Sequence, residues 1–160
     1  MDKTKLNNVW HDKDYFLAFG FGTGLLPVAP GTWGTLPGIP LVLLLGSVSS
    51  LWYLIITLAA FVYGCVICDK VSNELQVHDY SGIVWDEVVG YLLTLFLVPI
   101  SWLTLLLGFL LFRLFDIWKP FPIKLIDSKV KGGLGIMLDD ALAALPAWLC
   151  LQFIVWVMSS

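Results

Sequence analysis

The chain has 160 residues, a net charge of −3 and a mean hydropathy of +0.88; 59% of it is hydrophobic and only 13% is charged. A soluble domain carries about 25% charged residues, so this composition speaks against an ordinary soluble domain and for a single integral membrane domain. The acidic balance leaves no basic footprint for nucleic acid, and Cys65, Cys68 and Cys150 make no disulfide framework.

Residues 1–18 read as an interfacial arm. Their opening, MDKTKLNNVWHDKDYF, is charged without an apolar core and is not a signal peptide. No Asp, Glu, Lys or Arg then occurs from Tyr15 to Cys68, from Val88 to Phe112, or after Asp140. A membrane-crossing helix needs about 20 apolar residues. The first gap opens with GFGTGLLPVAPGTWGTLPGIP, whose glycines and prolines predict an irregular loop at the membrane surface. A short apolar run of 11 residues from Leu36 follows, then a long one from Leu51. That long run contains Cys65 and Cys68, which read as small apolar side chains rather than a redox pair. The middle gap, with Pro99 near its centre, is either one kinked span or a tight helical hairpin. The last gap predicts a span from Ala141 to Met158, with Pro146 in its first turns.

All nine Lys and Arg lie in residues 1–14, 69–87 and 112–140. The positive-inside rule puts these blocks on the cytoplasmic side, which requires an even number of passes in each of the first two gaps. A single pass through Val88–Phe112 would separate two of them.

Asp86 and Glu87 stand just before one apolar segment, and Asp139 and Asp140 just before another. Helix capping and the macrodipole explain acids at such places. A hard-metal site explains two adjacent pairs at a bilayer boundary, and oxygen-only ligands favour Mg²⁺, Mn²⁺ or Ca²⁺. Arg113, Asp116 and Lys119 recur every third residue, so neighbours face each other on a helix that Pro120 ends. They form either a local salt bridge or a metal ligand flanked by phosphate-holding cations. The KGGLG stretch offers backbone that an anion can approach, although it matches neither a Walker A loop nor a dinucleotide fingerprint. His78, beside Asp79, is a surface-loop residue or a group titrating near neutrality. A cysteine-phosphatase loop and a G-x-S-x-G elbow are both absent. Carboxylates, cations and a bilayer suit phosphoryl chemistry on a lipid headgroup.

Three ordered stretches, GFGTGLLPVAPGTWGTL, VHDYSGIVWDEVVG and FRLFDIWKPFPIKLID…GGLGIMLDD, make the sequence resemble the phosphatidylglycerophosphatase A family from about Phe19 to Ala144. The resemblance implies a Mg²⁺-dependent phosphatase of the bacterial inner membrane. Such an enzyme converts the lipid phosphatidylglycerophosphate to phosphatidylglycerol and phosphate, the last step in making that phospholipid. The family's acidic signature falls on Asp86, Glu87, Asp116, Asp139 and Asp140, expected as catalytic residues and Mg²⁺ ligands. Asp79 and Asp127 also match acidic positions. Arg113 and Lys119 are expected to neutralise the phosphate, with Lys119 also catalytic; Thr32, Thr35 and His78 are expected to contact it. Lys124 and Lys131 stand where some members carry other residues.

The expected fold is all-α: a polytopic membrane protein over 1–160, with several embedded helices, some short or re-entrant, and a cytoplasmic-side interfacial active site. The competing class is a small transporter or divalent-cation channel, whose acids would lie within the apolar gaps.

Overall fold

The computed structural model describes residues 6–77, 80–121, 123 and 130–159, and among them there is no β-strand. Among the described residues, seven α-helices carry the fold: α1 (Lys13–Ala18), α2 (Pro30–Thr35), α3 (Gly38–Leu45), α4 (Ser50–Leu75), α5 (Trp85–Thr94), α6 (Trp102–Trp118) and α7 (Gly132–Ser159). Two of them, α4 with 26 residues and α7 with 28, are long and apolar enough to cross a membrane. At about 1.5 Å per residue each exceeds the ~30 Å hydrocarbon core.

The glycine- and proline-rich stretch is more helical than its composition predicts. Pro30 sits at the first position of α2, where its missing N–H costs nothing. Gly31, Gly34 and Gly38 then face α5: side chains there would strike Glu87, Val84 and Tyr91. These glycines serve close helix packing as much as turning. The run from Leu36 shortens to the eight residues of α3, about 12 Å, too short to cross.

The middle gap is a helical hairpin. α5 descends ten residues, the chain turns through 95–101, and α6 returns. Ser101 and Thr104 form a reciprocal capping box that starts α6. The turn's exposed carbonyls find donors on α7: Trp148 Nε1 donates to Phe96 O at 2.7 Å and Gln152 Nε2 to Leu97 O at 3.2 Å. Irregular backbone in an apolar setting needs such partners. The turn 46–49 lies against the same end, since Gly46 abuts Ile100.

The last helix corrects two expectations. α7 begins at Gly132, nine residues before the predicted start, so Pro146 lies well inside it. Pro146 therefore removes one interior hydrogen bond, to Leu142 O. The early start comes from packing: a side chain at Gly133 would overlap the Cys65 carbonyl of α4. Cys68 packs against Met137, and all three cysteines are free thiols.

α7 lies at the centre, against α4, α5 and α6. One buried cluster joins α4, α5 and α7 around Ile67, Val88 and Met137; a second joins α5, α6 and α7 around Tyr91, Phe112 and Ala147. The N-terminal arm is docked into the first cluster through Val9, Tyr15 and Ala18.

Candidate active site

The turns 46–49 and 95–101 lie together at one end of the molecule, and the charged blocks meet at the other. Lys70 of α4 pairs with Asp12 at 3.2 Å and Asp14 at 2.7 Å, tying the first block to the second. Arg113 of α6 pairs with Glu87 of α5 at 3.5 Å, tying the third block to the second. A single pass through Val88–Phe112 is incompatible with that contact.

Between the blocks lies a pocket of about 310 Å³. Its walls are Asp86 and Glu87 in the first turn of α5, Arg113 and Asp116 near the end of α6, Lys119 just beyond it, and Asp139 and Asp140 of α7. Arg113 also grips Asp116 at 2.7 Å, one helical turn away. Lys119 pairs with Asp139 across to α7 rather than with Asp116. It is placed there by a left-handed backbone, φ 42°, that ends α6 ahead of Pro120.

Capping does not explain these acids. Asp139 and Asp140 are the eighth and ninth residues of α7, in its third turn. Glu87 is turned toward Arg113, and the residue that caps α5 is Val84, without a side-chain bond.

Five carboxylates thus face two cations, and four of the acids, Asp86, Asp116, Asp139 and Asp140, are buried. Carboxylate oxygens of Asp86, Glu87 and Asp140 lie within 4.8 Å of one another. That spread is about twice the ~2.1–2.5 Å bond of Mg²⁺ or Ca²⁺ to oxygen. Asp140 Oδ2 is buried with no hydrogen-bond partner among the described residues. A buried carboxylate oxygen in that state is costly unless a cation faces it. The donor set, all oxygen and all anionic, therefore fits a hard divalent cation and not a thiolate-preferring one.

The glycine-rich approach to this pocket comes from elsewhere than expected. Ala29, Pro30 and Gly31 line it, Ala29 with a left-handed φ of 49°. Glycine at 31 leaves room for the two side-chain ends: a Cβ there would overlap the Glu87 carboxylate and crowd the Arg113 guanidinium as they now stand. Gly132–Gly135 instead form the first turn of α7 and line no part of the pocket. The anion at that helix start is the chain's own Asp69, whose Oδ1 accepts from Gly133 N at 3.0 Å.

The remaining candidates are dispersed. Thr35 is buried and donates to Gly31 O at 2.9 Å, so it braces α2. Thr32 is half-buried on α2 and is not among the lining residues. His78, Asp79, Lys124 and Asp127 lie outside the described residues. Lys131 is exposed. Ser81 and Ile83 line the pocket although the sequence offered no chemical reason to select them. They sit beside the acids because Val84 N donates to Ala18 O at 2.8 Å, drawing 80–84 over the pocket.

Residues 16–155 match the family described as phosphatidylglycerophosphatase A. Phosphatidylglycerophosphatase A of Haemophilus influenzae is 49% identical over 135 residues, 83% of each chain. Phosphatidylglycerophosphatase A of Escherichia coli K12 is 39% identical over 153 residues, 95% of this chain and 87% of the relative. No solved structure matches.

Proposed function

The chain belongs to the phosphatidylglycerophosphatase A family, and from that premise and its acid pocket we infer that it hydrolyses phosphatidylglycerophosphate to phosphatidylglycerol and inorganic phosphate. The observation that carries the reading is the convergence of five acids, Arg113 and Lys119 on one pocket beside long apolar helices.

The chemistry can be assigned to residues. Arg113 and Lys119 attract the phosphomonoester and balance its charge. Asp86, Glu87 and Asp140 are proposed to hold Mg²⁺, with Asp116 and Asp139 orienting the two cations. When bound, the ion would polarise the phosphoryl oxygens and stabilise the leaving alkoxide. A carboxylate of the pocket takes a proton from water as the water oxygen bonds to phosphorus. The phosphorus–oxygen bond to glycerol breaks, and that oxygen leaves with the proton that the carboxylate took from water. Attack by an aspartate, giving an acyl phosphate that water then hydrolyses, is the alternative route.

The charged end is proposed to face the cytoplasm of a bacterial inner membrane, with α4 and α7 spanning and the α5–α6 hairpin re-entrant. What supports this is the clustering of Lys70, Arg113 and Lys119 at one end. The absence of any acid along 15–68, 88–112 and 141–160 disfavours a transport pathway.

The test is phosphate release from phosphatidylglycerophosphate by purified protein in detergent, with Mg²⁺ or EDTA. Release that requires Mg²⁺ and is lost in Asp140→Asn supports the reading. No release from folded protein under any divalent metal overturns it.

A further inference from the structure

A second feature lies along α6, on the Arg113 side of the helix. Phe109, Leu106 and Trp102 precede Arg113 on α6 by four, seven and eleven residues, which aligns them on one stripe below the guanidinium. Leu36 and Ile39 stand opposite, on the segment that follows Gly31. With Leu105 these side chains line an apolar groove of about 260 Å³. The groove exists because α2 and α3 lean on α5 while α6 leans on α5 and α7, leaving the α3–α6 seam open. Its upper wall residue on α6, Phe109, stands one helical turn from Arg113, which lines the acid pocket. Its lower end is Trp102, 81% exposed.

We propose that this groove seats one acyl chain of the lipid whose phosphomonoester enters the acid pocket. The inference rests on the lipid-phosphatase reading above. Depth supports it: the eleven residues from Arg113 down to Trp102, at the groove's lower end, span about 16 Å, half of a hydrocarbon core of about 30 Å, so the groove ends about one leaflet below the phosphate-binding cation. Continuity supports it too, because one face of α6 carries both the phosphate-binding cation and the groove wall. A chain moving from bilayer to groove leaves one hydrocarbon setting for another and gains little from hydrophobic transfer. The groove's contribution is orientation. A seated chain fixes the glycerol backbone, and with it the angle at which the phosphate meets Arg113 and the acids.

The test compares two substrates in the same detergent: dioleoyl phosphatidylglycerophosphate and its water-soluble deacylated headgroup. Leu106→Trp and Ile39→Trp fill the groove from opposite walls. Each is expected to lower kcat/KM for the diacyl lipid roughly ten- to hundredfold, the scale of a misplaced reactant, and to leave the deacylated headgroup unaffected. Leu145→Trp, in a separate apolar groove between α5 and α7, is expected to change neither. Equal effects on both substrates, or none on either, overturn the groove while the phosphatase reading stands. Wild-type protein inert toward both substrates overturns the phosphatase reading and the groove with it. A lipid carrying a photoactivatable group midway along one chain provides a check without substitution. Labelling within 36–39 or 102–109 of the wild type is expected; labelling confined to α7 overturns the proposal.

Discussion

Arg113 on α6 stands 3.5 Å from Glu87 on α5 and 2.7 Å from Asp116 one turn up its own helix, so one guanidinium joins both arms of the α5–α6 hairpin. The three side chains are only 11–14% exposed. Arg113→Ala removes the cation from the buried Asp116 and the half-buried Glu87, and breaking a buried pair costs about 3 kcal/mol or more. Thermal unfolding in detergent should show that loss alongside lost phosphate release. Arg113→Lys keeps the charge but not the planar fork, so stability should recover further than activity.

Asp140→Asn should separate function from stability. The substitution conserves shape and removes a charge from a crowd of five acids. Activity should vanish, while thermal stability in EDTA should hold or rise as like-charge repulsion falls. Mg²⁺ should raise the unfolding temperature of the wild type, by the equivalent of about 2.7 kcal/mol at a hundredfold excess over Kd, and should not do so for the variant. A variant that unfolds readily in EDTA would point back to a structural role for Asp140.

These acids were legible in the sequence because charge is rare in this chain and therefore conspicuous at the membrane boundaries. Apart from the family resemblance, their grouping was legible through the requirement that all basic blocks share a side, which the Arg113–Glu87 contact satisfies. Local composition misled where packing decided the outcome. Gly31 and Gly34 read as loop residues, yet they form a helix because α5 needs their missing side chains. Asp139 and Asp140 read as the start of a helix that begins at Gly132, because the glycines before them dock on α4. Thr35 read as a phosphate contact, but its hydroxyl is taken by the backbone one turn back.

Gly31→Ala tests the close approach directly. The added methyl would overlap Glu87 and crowd Arg113. Overpacking of this kind costs about 1–3 kcal/mol, and the shift falls on the cation–acid pair. Phosphate release should drop at least tenfold in protein that still elutes as a single folded species. Wild-type kinetics from Gly31→Ala would mean that Glu87 is free to move without consequence.

The N-terminal clasp should be acid-labile. The backbone N–H of Asp14, and then Lys70, hold the Asp12 carboxyl below its ordinary value of 3.8; Lys70 and the Tyr63 hydroxyl do the same for Asp14. Folded values below the unfolded ones mean that the clasp stabilises fully above about pH 4 and fades as pH falls through the lowered values. Amide exchange within α1, corrected for intrinsic rates, should therefore be slow at pH 5 and faster at pH 3. In Lys70→Met it should be fast at both. Equal protection of the wild type at both pH values would show that Val9, Tyr15 and Ala18 hold the arm without help from the ion pairs.

Asp69 decides what the glycine-rich stretch before α7 is for. Its carboxylate accepts from Gly133 N at 3.0 Å and from the Asn73 side chain at 3.0 Å, so it is a cap supplied by α4 to the start of α7. Were Gly132–Gly135 a phosphate cradle, this carboxylate would repel the substrate, and Asp69→Ala would improve binding. As a cap, its loss should cost about 1 kcal/mol of stability and leave KM for phosphatidylglycerophosphate unchanged. Asp69→Asn, which keeps an acceptor oxygen, should recover most of that stability. A KM that falls in both variants would return the phosphate to the helix start and move the substrate away from Arg113; a KM that holds while only the unfolding temperature shifts keeps it in the pocket between α5, α6 and α7.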